Sequence, residues 1–296
     1  MYAILGASGK TGGAAAETLL AAGRKVRVIG RSAAHLEKLV RRGAEAAVGH
    51  ATDGEFLTRT FDGVEGVYAM EPVDYTRPDV LGQYARLSKA ISGALRRAAV
   101  RRVVALSSLG GELPAGSGPI AGLYGFEQAL AATGADQLVL RPGYFFENFF
   151  GSLPVIRQAG VNGGAFEPRT PVPMTATRDI GAAAADELMG GDFRGVEVRE
   201  LTSPDDLDMT AATRLLGAAI GKPDLAYARF PDEGFMAGIV QAGFSRDAAG
   251  LLLEMAQAFN AGLVARQQPR TPRTTAPSRF SEFVPVLAGA YGASGP

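Results

Sequence analysis

A chain of 296 residues, 47% of them hydrophobic, carries enough apolar surface for one large α/β unit or for two domains sharing a core. Acidic and basic residues number 30 each, so the formal charge is zero, and no long basic stripe offers the electrostatic footprint of a direct nucleic-acid binder. Cysteine is absent, which excludes disulfides and thiolate chemistry, and the two histidines, His35 and His50, stand too far apart in sequence for metal-ligand spacing, so no metal is expected.

The chain opens on an apolar run, Ala3 to Leu5, that breaks into Gly6-Ala7-Ser8-Gly9-Lys10-Thr11-Gly12 before an alanine-rich helix. Each glycine has a physical task. Gly6 allows a tight strand-to-helix turn, Gly9 lets backbone approach a pyrophosphate, and Gly12 lets the helix pack on the strand. Free amides at the helix start face the anion, and Lys10 either touches it, the favoured reading, or points to solvent from the first turn. The spacing alone also describes a ligand-free turn. The flanking strand and helix, with a second strand ending at Ile29, make it a dinucleotide site. After that strand, Gly30-Arg31-Ser32 presents an arginine where an NAD-preferring site carries an acid. A guanidinium there can hold a 2′-phosphate through paired charge-assisted bonds, so NADP(H) is expected over NAD(H).

Further strand-like runs follow at Ala44 to Val48, Gly66 to Ala69, Val103 to Leu106 and Gln137 to Leu140, with helical patterns between them. This alternation predicts a doubly wound parallel sheet, a Rossmann-type α/β fold over residues 1–150. Its ligand edge lies after the strand C-termini, which singles out Gly6 to Gly12, Gly30 to Ser32, Gly49 to Asp53, Met70 to Tyr75, Ser107 to Gly111 and Pro142 to Asn148. From 151 to 296 shorter strands and longer helices predict a smaller α+β substrate or cap lobe, partly interleaved with the first domain. Its elements are a helix over Asp179 to Met189, strands over Val196 to Leu201 and Leu225 to Phe230, and helices over Asp208 to Ile220, Glu233 to Ala242, Arg246 to Val264 and Phe280 to Ala290, the last packing back. The first strand begins at Tyr2 without a basic leader, and no segment reaches the ~18 unbroken apolar residues of a membrane span, so a soluble cytoplasmic protein is expected.

With these pieces in place the whole chain resembles the NmrA-like branch of the atypical short-chain dehydrogenase/reductases. The markers are the glycine loop, the strand ending Leu106-Ser107-Ser108, Glu127 with Leu130, and Leu140-Arg141-Pro142-Gly143-Tyr144-Phe145-Phe146-Glu147-Asn148. Arg178-Asp179-Ile180, Leu201-Thr202-Ser203-Pro204 and Phe280-Ser281-Glu282-Phe283 complete the set. The resemblance implies that the loop residues Gly6, Ala7, Ser8, Gly9, Lys10, Thr11 and Gly12 hold pyrophosphate and that Arg31 and Ser32 hold the 2′-phosphate. It implies that Ala69, Met70, Glu71 and Pro72 meet the adenine-side ribose and phosphates, and that Ser107, Ser108, Pro142, Gly143, Tyr144 and Phe145 line the nicotinamide end. His50 stands where relatives often carry an acid near the adenine; it either stacks there or ends the strand. Tyr75, Tyr124, Phe145, Phe146, Asn148 and Phe149 are the candidate substrate contacts, although aromatic clusters of this kind are more often core.

The sequence departs from the wider superfamily at its catalytic pair. Short-chain dehydrogenases use Tyr-x-x-x-Lys, in which the lysine lowers the phenol's pKa. No lysine occurs between Gly116 and Gln128, and Tyr124 stands about where that lysine belongs. Without the cation a phenol is a poor base at neutral pH. Ordinary alcohol oxidation is therefore not expected. The leading reading is an NADPH-dependent reductase of a quinone or other conjugated carbonyl, with Tyr124, Ser107 or Ser108 donating to the developing oxyanion. The alternatives are a non-catalytic NADP(H) redox sensor that controls a protein partner, and a non-redox isomerase or cyclase of secondary metabolism. A homodimer is also open.

Overall fold

Seven parallel strands form the central sheet of the protein, described here from a computed structural model over residues 1–293. The N-terminal elements alternate strictly: β1 (Tyr2–Leu5), α1 (Lys10–Ala21), β2 (Val26–Gly30), α2 (Ala33–Val40), β3 (Glu45–Val48), α3 (Gly54–Phe61), β4 (Gly66–Ala69), α4 (Val80–Arg97), β5 (Arg102–Leu106), α5 (Ile120–Ala131) and β6 (Asp136–Pro142). After β7 (Tyr144–Phe145), a 3₁₀ turn (Phe146–Gly151), α6 (Ser152–Ala159), β8 (Asn162–Gly164) and β9 (Met174–Thr175) come α7 (Thr177–Gly190) and β10 (Val196–Leu201). The chain finishes with α8 (Met209–Ala219), β11 (Tyr227–Arg229), α9 (Asp232–Gln241), α10 (Arg246–Asn260) and α11 (Phe280–Ala293).

The sheet order is β10-β6-β5-β4-β1-β2-β3, so the chain reverses direction across the sheet between β1 and β4, with Ile4 paired to Val28 on one side and Tyr68 on the other. An open α/β sheet binds its ligands at such a reversal. Strands β1 and β4 are buried throughout, whereas the edge strand β3 is largely exposed. Successive side chains alternate between two cores, as the period of a strand requires. Ile4 and Tyr68 face a layer built by α1 and α7, while Ala3, Leu5 and Val67 face one built by α3, α4 and α5. A third core, around Phe146, Phe149, Phe259 and Phe280, belongs to the C-terminal lobe.

Two sequence expectations change. The strand expected over Val196 to Leu201 in the cap lobe pairs in parallel with β6 instead and becomes β10, the seventh strand of the main sheet. Helix α7 likewise returns to lie against α1. A Cβ at Gly181 would stand 2.5 Å from both Ala14 Cβ and Thr11 O, so only glycine permits that crossing. The helix expected to reach Val264 ends at Asn260. Gly262 takes φ +71°, and the Leu263 amide turns back to Ala258 O at 2.9 Å. A left-handed residue and a returning amide close a helix end in this way.

Candidate active site

The glycine loop has the geometry its spacing implies. Gly6 sits at φ +67°, a region that side chains with a Cβ rarely adopt, and a Cβ at Gly12 would stand 2.5 Å from Gly6 O. Gly9 is the N-cap of α1, and no side chain caps that end, so its first-turn amides point outward as anion donors. Ser8 and Lys10 are exposed and Ala7 and Thr11 buried. Lys10 Nζ lies 4.8 Å from the centre of the Phe150 ring, so the loop faces the segment after β6 across the crevice.

Arg31 is exposed just past β2, ahead of Ser32, the N-cap of α2. Across from it, the Thr76 hydroxyl and amide lower the Asp74 carboxyl pKa, with Arg31 and Arg77 as smaller contributions. His50 is exposed after β3, and its carbonyl accepts the Asp53 amide at 3.0 Å.

Between the sheet's C-terminal edge and α10 lies a cavity of about 450 Å³. Met70, Glu71, Pro72 and Tyr75 line it from the loop after β4, Ser107 and Ser108 from the end of β5, and Gly143, Tyr144, Phe145 and Asn148 from the end of β6. Phe244, Met255 and Phe259 close it from the C-terminal lobe. Met70 joins this space to the glycine loop: its sulfur would stand 2.4 Å from a Cβ at Gly6. Tyr75 and Tyr84 share a hydroxyl–hydroxyl bond of 2.9 Å at the wall. Burial raises the phenols of Tyr75 and Tyr84, and that of Tyr144 to about 12, so all three hold their protons at neutral pH.

Behind Ser107 is a polar network that sequence reading left unassigned. The Ser107 hydroxyl donates to Glu127 Oε1 at 2.5 Å, and Arg141 grips the same carboxylate from two nitrogens, at 2.9 and 2.6 Å. Arg141 also bonds Glu112, whose other oxygen accepts Gln267 Nε2 at 2.8 Å. Burial works against the Arg141 charge, but Glu127 and Glu112 outweigh it and hold the guanidinium pKa above its usual value. The network ties β5, α5, β6 and the segment after α10 together below the cavity.

Several candidate residues lie elsewhere. Tyr124 is half-buried on α5 but is not among the cavity-lining residues, where the same helix presents Leu123. Phe146 and Phe149 are 0% and 2% exposed and pack on Phe280, so they are core rather than substrate contacts. Ala69 is sealed inside β4, and Pro142 ends β6 as a buried residue off the cavity. Gly143 is glycine because Pro173 O would stand 2.2 Å from its Cβ, so the close approach of the C-terminal lobe sets that choice. The remaining landmarks are structural. Glu147 accepts the Thr177 amide and hydroxyl at the start of α7, and Asp179 takes the Ser278 amide and hydroxyl at 2.9 and 2.8 Å. Among the described residues no group of three His, Cys, Asp or Glu could hold a metal ion, and no helix is long and apolar enough to cross a membrane.

Comparison with known proteins agrees with this architecture. An NADPH-dependent quinone oxidoreductase from Escherichia coli, solved with NADPH, superposes with a TM-score of 0.83 at 23% identity, over 97% of this chain and 99% of that one. Triphenylmethane reductase from Citrobacter sp. gives 0.80 at 19% identity, over 97% and 99%. A nucleoside-diphosphate-sugar epimerase from Staphylococcus aureus gives 0.81 at 14% identity, over 96% and 99%. At these identities the likeness is one of fold. No curated protein sequence matches the chain. The model of the NmrA-like family matches residues 2–266, and the chain belongs to that family.

Proposed function

We propose that the protein is an NADPH-dependent reductase that delivers hydride to a flat conjugated carbonyl acceptor of the quinone class. The observation that carries this reading is the place of Met70, packed on the glycine loop and lining the aromatic-walled cavity. A dinucleotide whose pyrophosphate sits at the α1 amides would thereby have its far end beside that cavity. The donor set fits the cofactor: an uncapped helix start for the pyrophosphate, an exposed Arg31 for the 2′-phosphate, and small or flat residues at the cavity mouth. The bound cofactor supplies the hydride.

The chain's own residues do the rest. Tyr144, Phe145 and Phe244 offer ring faces and edges to a planar acceptor. The Ser108 hydroxyl has no partner among the described residues and is free to donate to a carbonyl oxygen, whereas the Ser107 proton is committed to Glu127. The similar folds of the NADPH-bound quinone oxidoreductase and of triphenylmethane reductase support this reading. Placement of Tyr124 off the cavity and of the Ser107 proton on Glu127 is what favours the second reading, a redox sensor that binds NADP(H) without turnover.

The test is NADPH oxidation against a panel of quinones and enones beside a fluorescence titration of NADPH and NADP⁺. Turnover is expected; tight binding of both forms without turnover of any acceptor would replace the reductase with the sensor.

A further inference from the structure

Glu71 lies two residues beyond β4 and lines the cavity, yet only 8% of it is exposed. Its Oε1 accepts the Ser88 hydroxyl at 2.7 Å, and its Oε2 is buried with no hydrogen-bond partner. An ionised carboxylate would leave a charged oxygen unpaired there, an arrangement that proteins avoid by keeping the proton. Burial pushes this carboxyl up to about 8, with the hydrogen bonds from Ser88 pulling the other way. Because Ser88 holds Oε1 as an acceptor, the proton belongs on Oε2.

The titratable groups facing Glu71 are the phenols of Tyr84 on α4 and Tyr75 on the loop, both holding their protons. The end of β5 contributes Ser107 and Ser108 to the same cavity, and behind Ser107 Glu127 is paired with Arg141. Among the described residues no cation offsets its charge. Ser88 has a second exposure. It lines a surface groove of about 420 Å³ between α4 and α5, with Lys89 and Gly122, while Tyr84 lines both groove and cavity. The Glu71–Ser88 bond thus spans from the cavity to a groove open to solvent.

We propose that Glu71 is the general acid of the reduction: its carboxyl turns toward the cavity to give its proton to the acceptor's carbonyl oxygen, and it regains one from the α4–α5 groove through Ser88. This rests on the reductase reading above. The acceptor gains two electrons and a proton as hydride from NADPH and one proton from Glu71, so a quinone leaves as hydroquinone and NADPH as NADP⁺. Glu71 is left a carboxylate. The Ser88 proton passes to Oε1 of that carboxylate, water in the groove replaces it, and rotation of the carboxyl exchanges the two oxygens to restore the starting acid, so each turnover consumes one solvent proton. Burial takes the place of the missing lysine: instead of a cation making a phenol acidic, an apolar wall keeps a carboxylic acid protonated.

Three measurements on the full chain test this. Difference infrared spectra of the cofactor-free protein between about pH 6 and 10 should show a carboxylic-acid carbonyl band that titrates near 8 and is missing from Glu71→Gln. With NADPH and a quinone, wild-type kcat/KM should fall tenfold per pH unit above that value. Glu71→Gln should lose about 10²- to 10⁴-fold of turnover together with that break. NADPH affinity by fluorescence should stay within about threefold in the variant, and Ser88→Ala should slow turnover while leaving the infrared band in place. Absence of the band at neutral pH overturns the proposal, as does an unchanged pH profile in Glu71→Gln. Loss of NADPH affinity in that variant would make Glu71 a cofactor ligand instead. Wild-type protein that turns over no acceptor sinks the reductase reading and the donor role with it, but the infrared band would then still report the protonated acid, so the two failures are told apart.

Discussion

The Ser107 hydroxyl donates to Glu127 Oε1 across 2.5 Å, and that carboxylate is clamped from the other side by Arg141. The serine at the end of β5 is therefore a strut for the cavity floor, and its proton is not free for an oxyanion. Glu127 is 8% exposed, so removing its cation leaves a buried charge unpaired. Arg141→Met is expected to cost about 3–5 kcal/mol of unfolding free energy. The double variant Arg141→Met with Glu127→Leu should recover most of it, read from urea midpoints.

Arg31 should decide the choice between the two nicotinamide cofactors. A hydrogen bond to a charged group contributes about 1.5–3 kcal/mol, so Arg31→Asp is expected to weaken NADPH binding by about 10- to 100-fold or more. NADH affinity should hold or rise. Fluorescence titration of both cofactors measures it, and equal NADPH affinity in the two proteins would remove Arg31 from the site.

Glu71 also links folding stability to pH. Its carboxyl is raised from an ordinary 4.5 to about 8 in the folded chain. Between those values the folded state holds a proton that the unfolded state has released, so stability falls as pH rises. The contribution is fully present below about 4.5, declines by at most about 1.4 kcal/mol per pH unit, and is gone above about 8. In a comparison of urea midpoints, wild type should lose ground to Glu71→Gln across that window and run parallel to it at higher pH.

Tyr124→Phe is expected to leave quinone turnover within about twofold, because the phenol stands off the cavity while its neighbour Leu123 lines it. A loss of tenfold or more would bring Tyr124 back as proton donor.

Gly12→Ala should abolish NADPH binding. The added Cβ meets Gly6 O at 2.5 Å, a backbone atom that cannot yield without displacing the loop. The titration that reads Arg31 reads this variant too, with circular dichroism to establish that the chain still folds.

Local physics made much of this protein legible from its residues alone. Apolar runs of strand length, separated by helical periodicity, determined the alternating elements, and the turn demanding φ +67° at Gly6 and the close approach at Gly12 determined the glycine loop. What a helix or turn presents to a cavity was decided only by packing. Neighbouring helix residues differ in direction by about 100°, which is enough to put Leu123 on the wall and Tyr124 off it. The same holds for Phe145 on the cavity against Phe146 in the core. The return of β10 to the main sheet, the Arg141–Glu127 clamp and the Glu71–Ser88 pair each join residues well apart in the chain, at separations no local pattern records. Burial of a carboxyl, which turns Glu71 from a surface charge into a neutral acid, is a property of everything packed around it, and so it belongs to the tertiary structure alone.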